Sequence, residues 1–136
     1  MQIPESLQHF PEPALIVVSD HMHAKLLLAF EDDIEEVESL ELPRTELSDN
    51  EGKVLGQELS DDERLKHFVS MVANAINVMI RDEDAAMHLH IIAPADVANA
   101  IKKDLAPEAT RVLGKEVHAD VMKEDFEKLL ERLVAA

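Results

Sequence analysis

Residues 14–42, ALIVVSDHMHAKLLLAFEDDIEEVESLEL, hold three strand-like segments in close succession. Ala14–Asp20 is a continuous apolar run with β-branched residues, which is typical of a strand buried on both faces. Ala24–Glu31 reads as a second strand, and the short turn Ser19–His23 between them predicts a hairpin. Ile34–Leu42 follows as a third strand, and its glutamates suit a sheet edge that must not pair with another chain.

A long helix is predicted over residues 61–81, where apolar side chains recur at helical spacing. Ser60 and Glu63 match the capping-box pattern that begins many helices. Three further apolar side chains widen the stripe: Met71, Ala75 and Val78. The helix should therefore contact a second partner besides the sheet, either another helix or another subunit. We expect a homodimer formed through this helix or through the third strand.

The rest of the chain alternates strand and helix. The predicted elements are a strand Met87–Ala93, a helix over 95–105, a helical turn opened by Pro107 and closed by Gly114, an edge strand Lys115–Val121 and a helix over 123–136. The order is β-β-β-α-β-α-β-α, and right-handed crossovers place the fourth strand beside the first and parallel to it. The fold class is thus α/β, with a five-stranded mixed sheet of order 3-2-1-4-5, as in ribonuclease-H-like domains.

The domain organisation follows from length and from the position of the prolines. Residues 14–136 fit one α/β domain. Residues 1–13 contain three prolines, which fix φ and block regular pairing, so they are expected to form an extended N-terminal arm.

Charge and composition narrow the classes of partner. The net charge of −16 repels phosphate backbones, so no direct nucleic-acid binding is expected. The charge indicates a solvated, salt-tolerant surface or, as the alternative, a surface that binds a basic protein partner. The chain has no Cys, which excludes disulfides and Cys-ligated zinc. No apolar run reaches the ~18 residues of a membrane span. The N-terminus lacks the basic region of a secretory signal, so no membrane contact and a cytoplasmic location are expected.

A binding crevice is predicted above the carboxyl ends of the first and fourth strands, where the chain connections diverge. The residues expected around it are Asp20, His21, Gly56, Gln57, Ser60 and Asp96. The long helix would add free amides and the positive end of its dipole. Equally, Asp20 and Asp96 could be turn and cap residues without further function.

Two patterns in the sequence offer metal-based alternatives. Asp20, Glu63 and Asp96 could be the clustered carboxylates of a two-metal nuclease, although the capping box already explains Glu63 and the acidic surface repels nucleic acid. The histidines form two i, i+2 pairs, which are His21 with His23 and His88 with His90. The pairs should lie at opposite ends of neighbouring strands, and two ligands are fewer than a zinc site uses. No metal, no cofactor and no catalytic residue is predicted.

Several segments together resemble the bacterial host-attachment protein family. They are residues 16–43, IVVSDHMHAKLLLAFEDDIEEVESLELP, residues 63–76, ERLKHFVSMVANAI, and residues 89–121, LHIIAPADVANAIKKDLAPEATRVLGKEVHADV. Asp20, Ala24 and Lys25 occupy the positions of that family's first hairpin, and Ala93-Pro94 matches its later segment. The resemblance implies a cytoplasmic α/β domain that acts by binding rather than by catalysis.

That family is in turn similar to the middle domain of archaeal and eukaryotic peptide-chain release factors. There a Gly-Gly-Gln loop just before the long helix reaches the peptidyl-transferase centre of the ribosome. Gly56-Gln57 falls in the comparable place, with Leu55 where the first glycine would stand. This likeness implies the alternative function, a translation-associated protein that binds the ribosome. For Gly56-Gln57 itself the simpler interpretation is a connector, because the surrounding segment has few of the cations that a loop entering ribosomal RNA requires.

Overall fold

Five strands and four α-helices make up the part of the chain that this computed structural model describes, residues 2–42 and 61–136. The strands are β1 (Ala14–Ser19), β2 (His23–Phe30), β3 (Asp33–Glu41), β4 (His88–Ala93) and β5 (Leu113–His118). The helices are α1 (Asp61–Asn77), α2 (Ala95–Asp104), α3 (Pro107–Arg111) and α4 (Phe126–Ala135). A 3₁₀ turn (Glu5–Leu7) precedes β1, and a π-helical turn (Val78–Asp82) follows α1.

The strands form one sheet of order β3-β2-β1-β4-β5, which confirms the predicted α/β fold class and strand order. β2 is antiparallel to β1 and to β3, whereas β4 is parallel to β1 and to β5. All six residues of β1 are buried, because helices or the N-terminal segment cover both faces of the central strand. The apolar run in Ala14–Ser19 is therefore explained by burial of the strand on both faces, as the sequence predicted.

Alternate residues of the central strands feed two separate cores. Leu15 and Val17 pack on one face with Phe68 of α1 and with the apolar sides of α2 and α3. Ile16 and Val18 pack on the other face with the leucines of α4. The two cores are separate because successive side chains of a strand point to opposite faces of the sheet.

The N-terminal segment lies against the sheet and contributes to the second core. Ile3, Leu7 and Phe10 are buried there, at 1%, 8% and 5% exposure. The amide of Ile3 donates to the Asp32 carbonyl at 2.6 Å, and the amide of Glu31 donates to the Phe10 carbonyl at 2.7 Å. The prolines predict an extended arm here, and the structure adds to it a 3₁₀ turn and apolar anchors.

Most predicted element boundaries lie within a residue of those in the structure, but the long helix, the last strand and the last helix differ more. The last helix was expected over 123–136 and instead spans Phe126–Ala135, because Asp125 caps its N-terminus. The long helix was expected to run to Arg81 but is α-helical only to Asn77, after which the π-helical turn begins. In that turn the amide of Glu83 donates to the Val78 carbonyl at 2.9 Å. A widened turn leaves Ile80 buried, so the apolar spacing could not distinguish it from α-helix.

The last strand was predicted at Lys115–Val121 and instead spans Leu113–His118. The prediction was wrong because the apolar alternation continues past the strand, where Val121 still packs into the second core. Gly114 consequently lies inside β5 and does not close the preceding helical turn. A Cβ at Gly114 would come within 2.7 Å of Cε1 of His90, so the bare backbone makes room for that ring.

Gly114→Ala is expected to lower the free energy of unfolding by roughly 1–3 kcal/mol, because the added methyl group would push the His90 ring away from its hydrogen bond with the Lys115 amide. The matched control introduces the same change into His90→Ala, where the space is open. There the cost of Gly114→Ala should nearly vanish, which urea denaturation of all four proteins would show as a coupling energy. Equal costs in both backgrounds would contradict the steric explanation.

Candidate functional site

The crevice was predicted at the end of the sheet where β1 and β4 finish, and Asp20, the first of its expected residues, is a turn residue in the structure. Oδ1 of Asp20 accepts from the backbone amides of Met22 at 2.7 Å and His23 at 2.6 Å. The amide of Asp20 donates to the His23 carbonyl at 2.9 Å. Asp20 thereby closes the β1–β2 hairpin, as aspartates commonly do in turns of this type. One carboxylate oxygen of Asp20 is therefore occupied by these two hydrogen bonds.

His21 and Asp96 meet across the same edge, although they are far apart in the sequence. Nε2 of His21 lies 2.8 Å from Oδ2 of Asp96, and so links the β1–β2 turn to the first turn of α2. Oδ1 of Asp96 also accepts from the Val97 amide at 2.9 Å. The side chains of His21 and Asp96 are 51% and 61% exposed. The parallel pairing of β1 with β4 brings the two residues together.

The hydrogen bond from His21 is the main reason that the pKa of Asp96 is lowered from its ordinary value. Asp96 is therefore a carboxylate at neutral pH. In a neutral ring, Nε2–H donation to Asp96 leaves Nδ1 of His21 as an acceptor. Exposed pairs of this kind contribute roughly 0–1 kcal/mol to stability, so the pair matters more as an accessible polar group than as a structural support.

The other predicted crevice residues, Gly56, Gln57 and Ser60, lie outside the described residues. The described residues on either side show only where the chain leaves the sheet. The amide of Leu42 donates to the Met22 carbonyl at 2.9 Å, which places the end of β3 next to the β1–β2 turn. His23 adds a further contact there, with Nε2 3.7 Å from Oε2 of Glu41.

The carboxylates weighed as nuclease ligands have other contacts. Asp20 binds backbone amides and Asp96 binds His21, as described above. Within residues 2–42 and 61–136, no group of three or more His, Asp or Glu side chains could hold a metal ion. In the same residues no helix is long and apolar enough to cross a membrane.

The second histidine pair lies at the opposite edge, where Nε2 of His88 is 2.8 Å from Oε1 of Glu12.

At that opposite edge the structure places a pocket of about 210 Å³ that sequence reasoning did not identify. Its polar lining includes His88, His90, Lys115 and Glu12, and Phe10 and Leu133 form part of its apolar wall. Nδ1 of His90 accepts from the Lys115 amide at 2.9 Å, so the neutral ring carries its proton on Nε2. Burial, followed by the neighbouring His88 and Lys115, lowers the pKa of His90 to about 4. The glycine at position 114 was the one sequence signal for this close packing.

Comparisons with known proteins place the fold. No protein-family model matches the chain, and no curated protein matches it. Among solved structures, the chain is similar over 90% of its length to 34% of an archaeal protein, with a TM-score of 0.55 and 14% identity. It is similar over 88% of its length to 37% of the archaeal translation termination factor aRF1, with a TM-score of 0.50 and 15% identity.

A third similar structure is S. cerevisiae Dom34, a translation termination-like factor involved in RNA quality control pathways and interacting with Hbs1. There the TM-score is 0.49 and the identity 13%, over 86% of this chain and 34% of that one. The chain thus spans only 34% to 37% of the length of these three structures. At such identities the likeness concerns the fold alone. The α/β fold of this chain is therefore similar to that of one part of aRF1.

Proposed function

We propose that this chain is a translation-associated protein that binds the ribosome. The observation that carries the proposal is the similarity of 88% of the chain to part of the translation termination factor aRF1. Cytoplasmic location belongs to the same proposal, since translation takes place there.

The charge of the chain limits how it can bind a ribosome. A net charge of −16 opposes contact with ribosomal RNA, because each phosphate carries a negative charge. Binding would therefore run mainly through a basic protein component of the ribosome. This differs from a protein that inserts a cationic loop into RNA.

The surface that we assign to this contact is the edge formed by the β1–β2 turn and the start of α2. Asp20 fixes the turn, and the exposed His21–Asp96 pair offers a carboxylate and an imidazole to a basic partner. Gly56, Gln57 and Ser60 belong to the chain segment that joins β3 to α1, and we propose that this segment borders the surface as a connector and does not bind the partner itself. Their assignment rests on the sequence.

Co-sedimentation with ribosomes from the same cells tests the proposal. We expect the wild-type protein to pellet with ribosomes at low salt and to be released as salt screens the charges. The double variant His21→Ala/Asp96→Ala should pellet less, whereas Asp120→Ala/Glu131→Ala, which alters exposed acids elsewhere, should behave as wild type. Failure of the wild-type protein to pellet at any salt concentration would refute ribosome binding.

Gln57→Ala separates a binding role from a catalytic one. As a connector residue, Gln57 can be replaced without loss of co-sedimentation or of stability. The matched measurement is hydrolysis of peptidyl-tRNA on the ribosome, which we expect the wild-type protein not to catalyse. Hydrolysis that the wild type supports and Gln57→Ala abolishes would instead assign release-factor-like catalysis to the chain.

A non-enzymatic binding protein of the host-attachment type is the second candidate function. It is supported by the sequence resemblance at Asp20, Ala24 and Lys25. In the structure Asp20 closes the hairpin, and the ammonium group of Lys25 donates to the Met122 carbonyl at 3.3 Å. These contacts show that Asp20 and Lys25 stabilise the fold. The resemblance at these positions therefore supports a fold in common with the host-attachment family better than a binding partner in common with it.

A further inference from the structure

A groove of about 310 Å³ lies between β3 and the C-terminal half of α1. Its apolar lining consists of Leu40 from β3 and Met71, Ala75, Val78 and Met79 from the helix and the π-helical turn. Three of these side chains are the ones that the sequence placed on a second stripe of the helix. They are partly exposed, whereas Phe68 and Val72 on the other stripe are fully buried. The second stripe therefore has no complete cover among the described residues.

Methionine dominates the adaptable part of this lining. Met71 and Met79 have unbranched, polarisable side chains that can repack around different apolar groups. The π-helical turn contributes Val78 and Met79 to the groove, and such turns are frequent at functional sites. The groove is thus suited to accept an apolar side chain from outside.

Acidic groups border the groove on both sides. Glu38 on β3 and Glu83 after the π-helical turn line it directly. Glu35 pairs across the sheet with Leu28, whose side chain packs against the core beneath α1, so Glu35 stands on the same face of β3. Arg81 belongs to the π-helical turn, and its Nε lies 3.1 Å from Oδ1 of Asp82. The groove is therefore a methionine-lined surface with a negative rim.

The negative rim of the groove favours some binding partners over others. A second copy of the chain carries a net charge of −16, and pairing through β3 would set the exposed glutamates of two strands against each other. Residues 43–60 of the chain contain two basic and four acidic side chains, so they too are poorly matched to a negative rim. A positively charged segment of another protein matches it well.

We propose that the groove between β3 and α1 binds a basic segment of a partner protein, with one or two apolar side chains seated on Met71 and Met79 and flanking Lys or Arg beside Glu38 and Glu83. The proposal does not depend on ribosome binding, because any partner with this chemistry would fit. It adds a surface separate from the edge that carries His21 and Asp96.

Methionine-methyl NMR provides a local readout. The probe is a synthetic peptide of about three helical turns, with two leucines flanked by lysines, and its counterpart carries glutamates in place of the lysines. On addition of the basic peptide to the full chain, the methyl resonances of Met71 and Met79 should shift. Those of Met87, which is exposed elsewhere, and Met122, which packs against the opposite core, should not. The acidic peptide should cause no shift.

Charge-reversal variants test the role of the rim. Glu38→Lys/Glu83→Lys should weaken binding of the basic peptide by about tenfold in fluorescence anisotropy. Asp120→Lys/Glu131→Lys changes the net charge by the same amount at exposed positions outside the groove, and should leave the affinity near that of wild type. Equal weakening in both variants, or equal binding of both peptides, would overturn the proposal.

The remaining occupants give distinct results. If the Met71 and Met79 resonances move with protein concentration in the absence of peptide, a second copy fills the groove and the proposal is wrong. If the basic peptide shifts these resonances only after residues 46–58 are replaced by a glycine-serine linker, the chain covers its own groove and the proposal is equally wrong. Shifts confined to Met87 or Met122 would show that the peptide binds elsewhere, which also refutes it.

Discussion

Phe68→Ala is expected to lower the free energy of unfolding by about 3–5 kcal/mol. Phe68 is fully buried and is among the largest side chains in the core between α1 and the sheet. Its removal forfeits apolar burial and leaves a cavity that the surrounding leucine, valine and isoleucine side chains can fill only in part. Since domains of this kind are stable by about 5–15 kcal/mol, the variant should lose a large part of its stability.

The matched control is Met71→Ala, one turn further along the same helix. Met71 belongs to the partly exposed stripe over the groove, so its truncation should cost roughly 1 kcal/mol. Urea denaturation followed by circular dichroism suits the comparison, because the chain has no Trp or Tyr for fluorescence. Similar losses in both variants would show that the two stripes of α1 are equally buried, which contradicts the structure and removes the free groove.

Acidification from pH 7 to pH 5 is expected to cost about 1–2 kcal/mol of stability through His90. The folded ring resists protonation until its pKa of about 4, while the unfolded chain takes up a proton near pH 6.5. Stability that is present above pH 6.5 is therefore lost progressively as the pH falls towards 4. The figure allows for solvent screening of a ring that is only partly buried.

The test compares the pH dependence of stability in wild type and in His90→Asn, whose amide oxygen can still accept from the Lys115 amide. Urea denaturation at several values between pH 7 and pH 5 stays above the isoelectric point of about 4.6. The His90→Asn curve should be flatter than that of wild type. Parallel curves for wild type and His90→Asn would disprove the assignment to His90.

The sheet could be predicted because its central strand is unambiguous. Six consecutive buried residues in β1 fit only a strand covered on both faces, and the short turns on either side of β2 leave an antiparallel meander as the simplest connection. The right-handed crossover rule then placed β4 beside β1. Local pattern and chain connectivity were sufficient here, because neither depends on distant contacts.

Other local features depended on packing that no sequence pattern records. The π-helical turn at Val78–Asp82 preserves the apolar spacing of a helix, and the end of β5 is set by its pairing with β4 rather than by its own alternation. Gly114 looked like the end of a helical turn because the ring that approaches it comes from another strand. The errors at β5 and Gly114 have the same origin, a contact between residues that are distant along the chain.

The sequence by itself determined the order of elements, the arrangement of the sheet and the acidic character of the surface, because these follow from residue type and short-range spacing. It also proposed Asp20, His21 and Asp96 as neighbours at one edge. Only the tertiary structure decided their roles, since Asp20 is committed to backbone amides while His21 and Asp96 form an exposed pair. Likewise, the second apolar stripe of α1 was visible in the sequence, but its position beside Glu38 arises from how the helix packs on the sheet. Side-chain surroundings of this kind are set by long-range packing, which a linear pattern does not contain.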